Sequence, residues 1–69
     1  MNVGANIRHI RLEKGLSQAQ LAEEIGVSQS MLCQLERGTK VPTLPLSMEI
    51  AAALGVEIAD LLAECRPGM

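Results

Sequence analysis

Between Ser17 and Gly38 the chain carries two helix starts and two helix stops, a spacing that leaves room for little except two short helices and a tight turn. Ser17 offers a side-chain oxygen to the free N–H groups of a first turn, and Gln20, three positions on, can return the bond as a capping box. Leu16 and Leu21 flank that cap at the spacing of a hydrophobic staple. Ser28 repeats the arrangement, with Val27 and Leu32 as its staple pair. Between the two, Gly26 stands where the first helix must leave through a left-handed residue, a conformation open to glycine without a Cβ penalty.

The apolar residues set how such a pair packs. Leu21 and Ile25 are four apart and Leu32 and Leu35 three apart, so each helix has one stripe to bury. Ala22, beside Leu21, allows a close crossing. This is the spacing of a helix-turn-helix, whose second helix can enter the major groove of duplex DNA. Gln29, Ser30 and Gln34 fall on the side of that second helix opposite Leu32 and Leu35. A carboxamide presents a donor and an acceptor together, which matches the N6 and N7 edge of adenine, and a serine hydroxyl serves either base type or a phosphate. The same residues would also suit a plain solvated helix face, and it is the surrounding motif that favours base reading.

The residues Ile7-Arg8, Ile10-Arg11, Gly15-Leu16-Ser17-Gln18, Leu21-Ala22, Gly26-Val27-Ser28, Glu36-Arg37-Gly38, Pro42 and Ala53-Leu54-Gly55-Val56 together resemble the Cro/CI-type (XRE) transcriptional regulators. The resemblance covers about Val3 to Leu62. It implies an all-α fold: a five-helix, lambda-repressor-like bundle whose second and third helices form the helix-turn-helix. It further implies that Gln18, at the start of the second helix, and Arg37 with Lys40, after the third, hold DNA phosphates, in keeping with the affinity of helix N-termini for anions. Arg11 and Glu36 match a family pair that forms a partly buried salt bridge between the first and third helices, fixing the angle of the reading helix.

A net charge of -2 argues against a nucleic-acid binder until its distribution is considered. Through Lys40, five bases face four acids, a balance of +1; from Val41 onward, Arg66 alone faces Glu49, Glu57, Asp60 and Glu64, a balance of -3. The acid therefore lies away from the expected reading helix, and a weak positive field implies modest non-specific affinity. The chain has no Phe, Tyr or Trp, so its core is aliphatic and it lacks base-stacking platforms for single strands. No apolar run is long enough to cross a membrane and no signal-peptide layout opens the chain, so a cytoplasmic protein is expected.

The 69 residues are expected to form one helix-turn-helix domain, with a core over about 3–63 and a frayed tail over 64–69. The first helix is predicted over about 4–14, with Val3, Ile7 and Ile10 inward, Leu12 off the stripe, and Gly15 as its stop. Thr43 is the predicted N-cap of the fourth, with Pro45 in the first turn and Leu44, Ile50, Ala51 and Leu54 inward. Ser47 there stands where the family has an apolar residue. The fifth is predicted over about 58–63, with Val56 and Leu61 as staple and Asp60 in its first turn.

His9 stands without Cys or acidic neighbours at metal spacing, and Cys33 and Cys65 are too few for a zinc site, so neither metal nor cofactor is expected. Both thiols are expected reduced in a cytosol. Met31 and Met48 read as core fillers. No nucleophile–base set and no Gly-rich phosphate loop points to an enzyme. The expected partner is a near-palindromic DNA duplex, bound by a homodimer that pairs through Ile58, Leu61 and Leu62. A competing expectation is a protein-interaction module on the same scaffold, such as an antitoxin holding a toxin.

Overall fold

The computed structural model describes residues 3–62, and among them all regular structure is helical. The order is α1 (Val3–Glu13), α2 (Gln18–Ile25), α3 (Gln29–Arg37), α4 (Leu44–Leu54) and α5 (Ile58–Leu62). The caps written in the sequence close, fully at α2 and from one side at α3. Ser17 Oγ accepts from the Gln20 N–H at 3.0 Å, and Gln20 Oε1 accepts from the Ser17 N–H at 2.8 Å. Ser28 Oγ accepts from the Met31 N–H at 3.0 Å, but no bond returns to the Ser28 N–H because Met31 replaces the Gln or Glu of a full box. Gly26 leaves α2 at φ 76°, and Thr43 Oγ1 caps α4 through the Leu46 N–H at 3.3 Å.

The core is aliphatic throughout. Ile7, Leu21, Leu32, Leu35, Ile50 and Leu61 are completely buried, with Ala22, Ile25, Ala51 and Leu54 filling between them. Helix α1 packs on α3 and α5, α2 packs on α3 and α4, and α4 packs on α5. The crossing of α1 and α3 is tight. A Cβ built on Gly4 would run into the Leu35 carbonyl oxygen and lie 2.8 Å from that of Glu36, so only glycine fits where α1 passes the end of α3. Two residues further along α1, Asn6 Nδ2 donates to the Leu61 carbonyl at 2.7 Å and docks α5 on α1.

Helix α4 departs from its predicted face. Its inward side is Ser47, Ile50, Ala51 and Leu54, whereas Leu44 is 64% exposed and Met48 57% exposed. Leu44 lies in the first turn, at the edge of that stripe, where the helix has not yet reached the core. Met48 is turned further round, so it is not a core filler; Met31, half-buried against the core, is one. Ser47, the departure from the family pattern, takes the apolar place and is buried. Leu12, off the inward stripe of α1, is exposed. Ala63, Cys65 and the tail expected over 64–69 lie outside the described residues.

Candidate nucleic-acid interface

The reading helix is held from below before it presents anything outward. Leu32 and Leu35 are fully buried, and Glu36 joins them on the inner face at 8% exposure. A carboxylate at that depth needs compensation, and it has it. Arg11, itself 6% exposed, donates from Nε to Glu36 Oε2 at 2.7 Å and from Nη2 to Oε1 at 3.1 Å. This is the fork geometry that suits guanidinium to carboxylate. Arg11 Nη1 also donates to the Leu16 carbonyl at 2.8 Å, so one side chain fixes α1, the turn before α2, and α3 together. The pair is more deeply buried than the partial burial expected.

Ser30, Gln34 and Arg37 share the outer face of α3 at i, i+4 and i+7, with Gln29 exposed at the start of the helix. Gln29 and Ser30 are exposed, Gln34 is half-buried, and Arg37 is the last residue of α3 rather than a loop residue beyond it. The Gln34 carbonyl anchors the exit. It accepts from the Gly38 N–H at 3.1 Å, the Thr39 N–H and hydroxyl at 3.1 Å each, and the Lys40 N–H at 3.3 Å. The backbone of Lys40 therefore hangs from the same residue that faces outward. Arg37 and Lys40, both exposed, come together at one open groove of ≈ 470 Å³, also lined by Val3, Gly4 and Pro42.

Gln18 is placed otherwise than as a free clamp. It is half-buried, and its Nε2 donates to Glu36 Oε1 at 3.1 Å. Sequence reasoning missed this bond because nothing local to Gln18 points to a residue 18 positions on. In the expected pairing surface, Leu61 is completely buried in the chain's own core and has no area to give a second copy. Ile58 is half-buried against that core, and Leu62 is 39% exposed. Cys33 is half-buried on α3, and His9 sits on the surface with Glu13 at 3.4 Å, one helical turn on. Among the described residues no group of three His, Cys, Asp or Glu could hold a metal, and no helix is long and apolar enough to cross a membrane.

A helix-turn-helix family model, HTH_3, matches residues 7–61. An uncharacterised HTH-type transcriptional regulator of Sinorhizobium fredii, y4dJ, is 43% identical over 60 residues, covering 87% of this chain and 78% of that protein. The immunity repressor of Bacillus phage phi105 is 39% identical over 64 residues, which span 93% of this chain but 44% of the phage protein. Among solved structures, SinR, described as the master regulator for biofilm formation and solved in complex with DNA, superposes with a TM-score of 0.83 at 35% identity, covering 88% of this chain and 98% of that one. This family consists of DNA-binding transcription regulators, not enzymes. With the five helices of its described residues, its α2–α3 pair and its buried Arg11–Glu36 tie, the chain belongs to the HTH_3 helix-turn-helix family, the Cro/CI-type regulators that its sequence resembles.

Proposed function

We propose that this chain acts as a transcriptional repressor in the cytoplasm, its residues 1–69 serving as one domain that binds a near-palindromic DNA duplex as a homodimer. Helix α3 enters the major groove with Gln29, Ser30 and Gln34 against base edges, while Arg37 and Lys40 hold phosphates beside the reading helix. The observation that carries this reading is the two-sidedness of α3. One side is sealed by Leu32, Leu35 and the buried Glu36, and the other is polar, uncharged in its first two turns, and open to solvent at Gln29 and Ser30. An uncharged polar face suits discrimination between bases, because its donors and acceptors must match those on the base edges. The phage immunity repressor and the SinR–DNA complex support the same reading by similarity.

Selection of bound fragments from random duplex DNA at stated salt tests it. The expected result is a near-palindrome whose half-sites lie about one DNA turn apart, roughly 34 Å. A selection that returns no sequence enriched over the starting pool, with the protein shown to be folded, refutes base reading.

A further inference from the structure

Helix α4 carries one charge in 11 residues, Glu49, and it is apolar on the side away from the core as well as on the side toward it. Ser47, Ile50, Ala51 and Leu54 are buried, while Leu44, Pro45, Met48 and Ala52 are exposed, Leu44 by 64% and Met48 by 57%. Leu44, Met48 and Ala52 follow one another at four-residue spacing, so they form a single stripe along the helix. Glu49 lies off that stripe, in solvent. A surface helix turns charged residues to water, and one that is apolar all round belongs in an interior. The uncovered patch is on the order of 300–400 Å², a size at which exposed apolar surface often marks an interaction site.

Area and shape both select a second copy of this chain as the occupant. Stable pairing takes about 800 Å² from each copy, of which about 500 Å² is apolar. On α5, Leu61 is buried in the chain's own core, Ile58 is half-buried against it, and Leu62 at 39% exposure is a single side chain. The outer face of α4, the helix on which α5 packs, supplies the larger part of what is missing. Its shape is also self-complementary. In a two-fold contact each residue either meets its own counterpart or exchanges partners with another. A dyad through Met48, the middle of the stripe, sets the large Leu44 against the partner's small Ala52, and both ends fill together. We propose that the two copies pair through the outer face of α4, crossing at Met48, with Leu62 at the margin of the contact. This rests on the homodimer proposed above. The contact also fixes how far apart the two α3 helices stand, because only residues 38–43 join α3 to α4 and the Gln34 carbonyl ties that loop down.

The test is the mass of the protein in solution across a concentration series, free and on the selected duplex. Met48→Asp sets two carboxylates against each other across the dyad and should raise the dimer dissociation constant about a hundredfold. Helicity should not change, because Met48 is exposed. His9→Asp, on the exposed surface of α1, should leave the constant at its parent value. Leu44→Ala should weaken pairing about tenfold by emptying both ends of the contact. Adding Ala52→Leu to Leu44→Ala should restore it, since the double variant exchanges the two ends. If Met48→Asp loses helicity, these two variants decide. A double variant that pairs no better than Leu44→Ala overturns the proposal. So does a Met48→Asp protein that stays dimeric where Leu62→Asp is monomeric, an outcome that keeps the homodimer and assigns it to α5. A parent that is monomeric both free and on DNA overturns this pairing and the homodimer together. Pairing broken by Met48→Asp in a protein that selects no sequence supports the α4 contact and counts against DNA reading.

Discussion

Single residues here divide into those proposed to face DNA and those that hold them in place. Gln29 and Gln34 lie on the outer side of α3, so truncating either should spare the fold. Gln29→Ala and Gln34→Ala are each expected to relax preference at one base-pair position by about 1–3 kcal/mol, read from the affinities of single-base variants of the selected site. Unchanged base preferences with both glutamines gone would assign the reading face elsewhere. Arg11 works from the other side. Arg11→Met leaves Glu36 buried beside Gln18 alone, and breaking such a pair from one side should cost about 3–5 kcal/mol in chemical denaturation. Gly4 has no chemistry at all, yet Gly4→Ala drives a methyl group into the carbonyls of Leu35 and Glu36. The helices must part to admit it, so stability should fall by about 1–3 kcal/mol, the usual scale of overpacking.

At the scale of elements, what matters is how each helix begins, ends and meets the next. The capping box at α2 is reciprocal, while the cap at α3 is one-sided. Ser17→Ala should therefore disturb two cooperating bonds and cost about 1 kcal/mol in thermal or chemical unfolding. The far end of α3 is organised by the Gln34 carbonyl, which gathers the N–H groups of Gly38, Thr39 and Lys40. That knot places Arg37, the last helical residue, and Lys40, in the loop, at one groove. Arg37→Ala and Lys40→Ala are expected to weaken binding to all sequences alike and to flatten its salt dependence by about 0.9 in log–log slope for each phosphate no longer neutralised. A variant that altered base preference while keeping the parent slope would contradict the phosphate role.

For the whole molecule the question is how so small a reader reaches useful specificity. One α3 spans few base pairs, and pairing two of them on a near-palindrome multiplies discrimination. The expected pairing surface survives only in part. Leu61 is sealed in the core and Ile58 half-sealed, which leaves Leu62 as the most exposed large apolar side chain of α5. Leu62→Asp is accordingly the clean probe, since Ile58→Asp would also strike the core. The parent protein at micromolar concentration is expected to sediment as a dimer, and Leu62→Asp as a monomer of unchanged helicity that binds a full palindrome poorly. A parent that is monomeric both free and on DNA excludes pairing through α5.

The sequence by itself determined every helix among the described residues and most of the core, because caps, turn glycines and apolar stripes act over a few residues and are written next to the structure they cause. Ser17 with Gln20, Gly26 and the Leu32–Leu35 stripe needed nothing distant to be read. It also carried the family, and with it the Arg11–Glu36 pair. Position in the bundle was decided only by the tertiary structure. Leu44 and Leu61 have equal hydrophobicity, yet one is 64% exposed and the other wholly buried, because the first turn of α4 overhangs the core and α5 is pressed onto α1 by Asn6. Gln18 read as a surface clamp until the fold brought Glu36 to it from 18 residues away. Gly4 opened the predicted first helix with nothing to single it out, and only the fold brought the Leu35 and Glu36 carbonyls against it. Local patterns fix what a segment becomes; what it touches depends on which other segments arrive, and a packed interior admits one answer.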